Sequence, residues 1–182
     1  MSTEMNENLT KIALPSEIFK PQEYITRDGE LDGLRVELGG QVFETDEEIP
    51  WSFVISNTGK GILVHGKLKM SLHTQCARCL EDARLPLEVD VSSYYVLKPE
   101  DAEDDEQDVK VLPVDRTIEL LDDIEAAVMM ELPVKPLCST DCKGLCPKCG
   151  ANLNERECDC EDDELKLGEN NPFGALKDYD FN

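Results

Sequence analysis

The chain has 182 residues and a net charge of −22, from 40 Asp and Glu against 18 Lys and Arg. With acidic residues outnumbering basic ones about two to one, we do not expect the broad basic face by which most nucleic-acid-binding proteins neutralise phosphates, so tight sequence-independent RNA binding is disfavoured. No stretch approaches the roughly twenty apolar residues that span a bilayer, and the start shows no basic end followed by an apolar run. We therefore expect a cytoplasmic protein without a membrane segment, in which clustered cysteines signal metal or redox chemistry before disulfides.

The first part of the chain divides into a lead-in and a β-rich core. Residues 1–33 are polar with scattered apolar side chains, which predicts a partly ordered lead-in. Strand-like alternation begins at Leu34 and predicts a β-rich core over residues 34–132. The Gly39-Gly40 pair indicates a turn, and residues 57–61 break the next apolar run into two strands.

Two clearly alternating segments come next, at residues 66–75 and 83–96. Leu68, Met70 and Leu72 point to one side in an extended chain, and Lys67 and Lys69 point to the other. The pattern predicts an antiparallel hairpin with the sequence "CARCLED", which contains Cys76 and Cys79, at its tip.

The rest of the core is an acidic linker and a helix. Residues 99–108 ("PEDAEDDEQD") predict a solvated linker. Residues 117–132 have helical periodicity, with Thr117 as the N-cap and Pro133 ending the helix. The predicted fold class is α+β, with an antiparallel sheet or partial barrel over residues 34–114 and one main helix.

The C-terminal part is predicted to contain a cysteine-rich lobe and a latch. Residues 133–165 would form a zinc-binding lobe because they contain six of the eight cysteines. Residues 166–182 include "NNPFGALKDYDF", which predicts a short helix that docks onto the body as a latch; a peptide that binds a partner is the alternative.

All eight cysteines fall into four short-range pairs, which suits two Zn²⁺ ions with four thiolates each. In "CPKCG" two intervening residues let both sulfurs converge on one ion, and Gly150 can adopt the positive φ needed after the second ligand. The favoured partition has a local site and a long-range hairpin site. We name these the local site (Cys146, Cys149, Cys158 and Cys160) and the hairpin site (Cys76, Cys79, Cys138 and Cys142).

Two alternatives stay open at the level of sequence. A competing partition groups the cysteines of a twelve-residue segment: Cys138, Cys142, Cys146 and Cys149. Iron also binds four thiolates, because these ligands discriminate weakly between metals. Either alternative preserves a metal-binding role for the cysteines.

Catalytic motifs are absent from the sequence. Sites made of four cysteines are closed, whereas catalytic zinc keeps an open position. The chain has no His-x-Glu motif beside its cysteines, no nucleophile elbow, no phosphate loop and no dinucleotide fingerprint. We therefore predict a non-enzymatic protein without catalytic residues or a small-molecule substrate.

Three segments together resemble the YceD family, the large ribosomal RNA subunit accumulation proteins of bacteria and plastids. They are "CARCL" on a hairpin, "ELPVKPLCSTDCKGLCPKCGANLN" followed by "CDC", and "NPFGALKD" near the end. The resemblance implies a role in ribosome biogenesis that supports accumulation of large-subunit ribosomal RNA. The family signature includes Arg78, a candidate contact to a partner or to RNA, with a local salt bridge as the alternative.

Two functions are compatible with these observations. The first is a zinc-stabilised ribosome-biogenesis factor that contacts a ribosomal protein or a precursor of the large subunit, because a basic partner suits the acidic charge. The second is a thiol-redox-regulated chaperone that releases zinc on oxidation.

Overall fold

The computed structural model describes residues 10–20, 22–98, 100 and 109–160. The chain forms two compact units, Met1–Cys142 and Lys143–Asn182. The predicted latch at 166–182, and the predicted acidic linker except Glu100, lie outside the described residues. The predicted domain boundaries stay predictions.

Within the described residues, the first unit contains seven strands and one α-helix. In chain order they are β1 (Lys11–Ala13), β2 (Tyr24–Leu38), β3 (Gln41–Asn57), β4 (Gly61–Gln75), β5 (Asp82–Val96), β6 (Val109–Val111), β7 (Thr117–Glu119) and α1 (Leu121–Glu131), with a 3-10 helix at Ser16–Phe19 between β1 and β2. The α+β class and the single main helix are thus as predicted.

The main sheet has the strand order β2-β3-β4-β5-β6. Neighbours from β2 to β5 are antiparallel, and β6 joins β5 in parallel. Gly39 and Gly40 have φ of 61° and 81°, so the predicted turn between β2 and β3 is a two-residue turn of the I′ kind, which matches the twist of the strands. The predicted hairpin of β4 and β5 is confirmed, with register from Gly61↔Val96 to Gln75↔Asp82.

The core lies on one side of this sheet. Alternate residues such as Phe53, Ile55 and Leu68 are fully buried, while the residues between them face solvent. Helix α1 buries Ile124 and Val128 and packs against both β5 and β2. Because β2 and β5 are separated by two strands, the sheet must curl around the helix, in agreement with a partial barrel.

The helix begins later than the sequence predicts. Thr117 is not an N-cap, because Thr117–Glu119 forms strand β7, which pairs with β1 in a second, two-stranded sheet. Ile118 lies opposite Ile12 there and is completely buried. The tertiary pairing therefore overrides the local helical pattern, and α1 begins at Leu121.

The sheet also begins earlier than the sequence predicts. Strand β2 starts at Tyr24, inside the predicted lead-in. Its first half carries Arg27 and Gly29 on the core side, opposite Phe53 and Trp51, so apolar alternation is missing there. A Cβ on Gly29 would lie 2.2 Å from the Trp51 ring, so the indole covers the glycine of this edge strand.

Among the described residues, no helix combines the length and the apolar character needed to cross a membrane.

Candidate metal centres

The tip of the β4–β5 hairpin is a compact cysteine turn. The amide N–H of Leu80 donates to the Cys76 carbonyl oxygen at 3.0 Å, and the amide N–H of Cys76 donates to the Glu81 carbonyl oxygen at 2.8 Å. The Arg78 amide N–H lies 3.5 Å from the Cys76 sulfur. These bonds hold the chain so that the sulfurs of Cys76 and Cys79 point to the same side.

The segment after α1 supplies the other half of the hairpin site within the first unit. The sulfur of Cys79 lies 3.5 Å from that of Cys138, and the sulfur of Cys76 lies 3.7 Å from that of Cys142. All four sulfurs lie within 4.8 Å of one another. The amide N–H of Ala77 also donates to the Pro136 carbonyl oxygen at 2.8 Å, which fastens the hairpin tip to this segment.

The second unit contains a turn with the same hydrogen bonds. The amide N–H of Gly150 donates to the Cys146 carbonyl oxygen at 2.9 Å, and that of Cys146 donates to the Ala151 carbonyl oxygen at 2.8 Å. A bridge between Leu145 and Asn152 closes it, as Gln75 and Asp82 close the hairpin tip. The sulfurs of the local site also lie within 4.8 Å of one another. The structure thus groups the cysteines into the local site and the hairpin site.

The first cysteine of each turn is prepared to be a thiolate. Burial alone would raise the pKa of Cys76, but the amide N–H groups of Cys79, Arg78 and Cys138 lower this pKa to about 6. The amide N–H groups of Cys149 and Lys148 likewise lower the pKa of Cys146 to about 6. Since the thiolate is the form that binds metal, each turn presents one ligand already in its reactive state near neutral pH.

Both clusters are compact enough to hold one ion, and the sulfur–sulfur distances at the hairpin site match a tetrahedral divalent ion. Zn–S bonds of about 2.3 Å separate neighbouring sulfurs of a tetrahedron by about 3.8 Å, close to the 3.5 and 3.7 Å measured at the hairpin site. A disulfide would instead need about 2.05 Å, and none of the eight cysteines forms one. Four soft thiolates with no carboxylate or imidazole favour zinc or iron over calcium or magnesium. Each cluster can therefore hold one metal ion.

The two clusters differ in their exposure to solvent. In the hairpin site Cys76, Cys79 and Cys142 are buried, and Cys138 is exposed. In the local site only Cys146 is buried; Cys149 is exposed, and Cys158 and Cys160 are half-buried. Ligands in water are reached more easily by oxidants and chelators, so the two sites should differ in their resistance to metal loss.

Arg78 lies beside the hairpin site. Its guanidinium Nη1 donates to the Cys142 carbonyl oxygen at 2.8 Å, while the residue as a whole remains exposed. This bond joins the hairpin tip to the segment after the helix. The side chain therefore stabilises the site and still presents part of its cationic surface to solvent.

The sequence reasoning missed Leu80. Its φ is +64°, in the left-handed region that disfavours residues with a Cβ, and the residue is 56% exposed. Gly150 occupies the equivalent position of the second turn with φ of +70°. The sequence signal for this residue is the comparison of "CARCL" with "CPKCG": the residue directly after the second cysteine is leucine in the first turn and glycine in the second.

Comparison with known proteins places the cysteines in a family context. A family model described as "Large ribosomal RNA subunit accumulation protein YceD" matches residues 64–179, a span that includes all eight cysteines. No solved structure matches the chain.

Curated relatives are similar over part of their length. An uncharacterized protein of Mycobacterium tuberculosis is 38% identical over 101 residues, covering 54% of this chain and 48% of that protein. An uncharacterized protein of Mycobacterium leprae is 31% identical over 121 residues, covering 65% of this chain and 55% of that protein. An Arabidopsis thaliana chloroplast protein, "Large ribosomal RNA subunit accumulation protein YCED homolog 1", is 39% identical over 66 residues, covering 36% of this chain and 20% of that protein. The chain thus spans about half the length of the mycobacterial relatives.

Proposed function

Because the chain belongs to the YceD family of large ribosomal RNA subunit accumulation proteins, we propose that it supports accumulation of large-subunit ribosomal RNA as a non-enzymatic, zinc-stabilised factor. The observation that carries this proposal is the presence of two complete four-cysteine clusters inside the matched span. Four thiolates saturate a zinc ion, so neither site would retain the open position that zinc catalysis requires. The metal would therefore supply structure, and the surfaces that it holds in place would supply function.

The proposed ligands are all eight cysteines, four for each ion. Cys76, Cys79, Cys138 and Cys142 would bind one zinc ion, and Cys146, Cys149, Cys158 and Cys160 would bind the other. Iron is the competing metal, since it accepts the same ligands. Metal analysis of the untagged protein tests this part: two zinc ions per chain are expected, and a metal-free, disulfide-linked protein would contradict it.

We further propose that the partner is a basic protein of the large subunit or its precursor. The chain has a charge of −22 with neutral thiols, and two tetrathiolate zinc sites would each add about −2. Such a charge repels a phosphate backbone and attracts Lys- and Arg-rich surfaces. The proposed setting is the cytoplasm.

The proposed function is tested in a deletion strain. Large-subunit ribosomal RNA should fall relative to small-subunit RNA, and the tagged protein should co-sediment with large-subunit precursors in a sucrose gradient. Unchanged RNA levels on deletion, together with sedimentation only at the top of the gradient, would contradict the proposal.

A redox-regulated chaperone is the second candidate, and the exposure of Cys149 favours it. Peroxide would then release zinc and increase the suppression of client aggregation. Zinc release without any gain in this activity would remove the candidate.

A further inference from the structure

The chain contains two cysteine turns of the same kind, and comparing them shows which features the turn requires. Both place the residue after the second cysteine in the left-handed conformation, with φ of +64° at Leu80 and +70° at Gly150. Both use the amide of that residue for the same hydrogen bond to the first cysteine. Gly150 shows that the turn forms without a side chain at this position, so the metal site does not explain a leucine there.

The fold does not explain the leucine either. A leucine in the left-handed conformation is strained, and packing does not offset the strain well, since 56% of the Leu80 residue is exposed. Strained backbone conformations are concentrated at binding and switching sites. This applies to Leu80 because the turn itself does not require a side chain at this position. Leu80 therefore has the properties of a residue that contacts another molecule.

Leu80 forms one wall of a groove on the outer side of the hairpin tip. The groove has a volume of about 370 Å³, enough for one or two side chains. Its described lining consists of two apolar residues, two carboxylates and three other polar residues: Val42, Leu80, Glu44, Asp82, His73, Thr74 and Gln75. The Thr74 hydroxyl donates to the Val42 carbonyl oxygen at 2.7 Å and fixes the floor between β3 and β4.

The charges of the groove indicate what it accepts. The described lining contains Glu44 and Asp82 but no lysine or arginine. Arg35 pairs with Glu44 at 2.8 Å, but both side chains are more than half exposed, so this ion pair can be exchanged at little energetic cost. Asp82 lies 3.4 Å from the His73 imidazole and is 71% exposed. An acidic rim around an apolar wall fits a cationic ligand with an apolar side chain.

We propose that this groove, with Leu80 as its apolar anchor, is the docking site for a basic protein segment that presents an apolar side chain next to a lysine or arginine. This docking proposal rests on the proposed function, because it names the surface by which the chain would contact its basic partner. Nucleic acid does not fit the groove, since Glu44 and Asp82 would face its phosphates.

The binding experiment uses full-length protein and RNA-free total protein from purified large ribosomal subunits as the probe. Wild type should retain one or more basic large-subunit proteins, and Leu80→Gly should weaken this retention by about tenfold, as truncation of a central anchor does. Leu80→Asn, which also tolerates the left-handed conformation, should have the same effect, whereas Leu80→Met should retain binding. Val114→Ser is the matched control, because Val114 is fully exposed and lies outside the groove.

Metal content and the unfolding midpoint are measured for each variant, so that a loss of binding can be distinguished from a loss of folding. Leu80→Gly and Leu80→Asn should both keep two metal ions per chain, since Gly150 shows that the turn folds without a leucine. Their unfolding midpoints should lie at or above that of wild type, because both residues relieve the left-handed strain. Retention of the probe by both variants at the wild-type level would overturn the proposal. So would retention that requires added ribosomal RNA, no retention by wild type, or a wild-type dimer that becomes monomeric in Leu80→Gly.

Complementation separates this proposal from the proposed function. If deletion of the gene leaves large-subunit RNA unchanged, the proposed function fails. If deletion lowers the RNA and Leu80→Gly restores it as fully as wild type does, only the docking proposal fails. The expected result is a loss on deletion that wild type and Val114→Ser restore and Leu80→Gly does not.

Discussion

The hairpin site should stabilise the whole first unit, whereas the local site should stabilise only the second. Cys79→Ser and Cys158→Ser test this difference, because each removes one sulfur from one cluster and leaves the other cluster intact. We expect Cys79→Ser to destabilise the sheet and the helix, and Cys158→Ser to leave both unchanged.

The magnitude depends on the length of chain that each site closes. Cys79 and Cys138 are 59 residues apart, and the chain-entropy relation for cross-links gives about 4 kcal/mol for a loop of that length. Cys149 and Cys158 are about nine residues apart, for which the same relation gives about 2.5 kcal/mol. With a urea dependence of about 2 kcal/mol/M, Cys79→Ser should lower the unfolding midpoint of the first unit by about 2 M.

The assay uses the fluorescence of the protein's single tryptophan. Trp51 is 6% exposed in the core of the first unit, so its emission reports that unit alone. Metal analysis should find one ion in each variant, which confirms that each lost its own site. Equal shifts of the Trp51 transition in both variants, or no shift in Cys79→Ser, would refute the assignment of separate structural roles.

Three further predictions concern packing and metal exchange. Gly66→Ala should destabilise the first unit by about 1–3 kcal/mol, because the new Cβ would lie 2.4 Å from both the Phe53 ring and the Ser52 carbonyl oxygen; thermal unfolding checks this, with the exposed strand substitution Ser92→Ala as a control that should change little. Zinc release to a colorimetric chelator should be biphasic, since the local site is the more exposed, and Cys158→Ser should remove the fast phase; a single phase in wild type would contradict it. Gly150→Leu should weaken the second turn by about 1–2 kcal/mol through left-handed backbone strain, since nothing lies within 4 Å of the added Cβ. The readout is faster zinc loss from the local site, and an unchanged rate would show that the left-handed turn tolerates leucine freely.

The sequence predicts the hairpin and its cysteine turn well because both depend on short-range patterns. Alternation over β4 and β5 defines which side chains face the core, and the two residues between Cys76 and Cys79 define the turn. The pairing of β1 with β7 joins residues more than a hundred positions apart, and nothing in the local pattern at Thr117 distinguishes a strand from the first turn of a helix. That error is therefore one of long-range context.

The early start of β2 escapes sequence-based prediction for a different reason. Apolar alternation identifies a strand only where the strand's own core-facing residues have apolar side chains. At Gly29 the space is filled by Trp51 from the neighbouring strand, and at Arg27 a charged residue lies on the core side of an edge strand, a position where charges discourage unwanted strand pairing. Sequence alone does not indicate which distant side chain will cover a glycine.

If the hairpin site holds a metal ion, the hairpin tip couples that ion to the proposed docking groove. Leu80 and Asp82 line the groove, and Leu80 also donates the hydrogen bond that shapes the turn around Cys76. Loss of metal would make the turn more mobile, and Leu80, which forms one wall of the groove, would become more mobile with it. A partner would then bind the metal-free protein more weakly, because part of the binding free energy would be needed to order that wall. By linkage, a partner bound in the groove must strengthen metal retention at the hairpin site by the same factor by which the metal strengthens partner binding. A metal ion at the hairpin site would thus affect the affinity for the partner although the ion itself does not contact the partner.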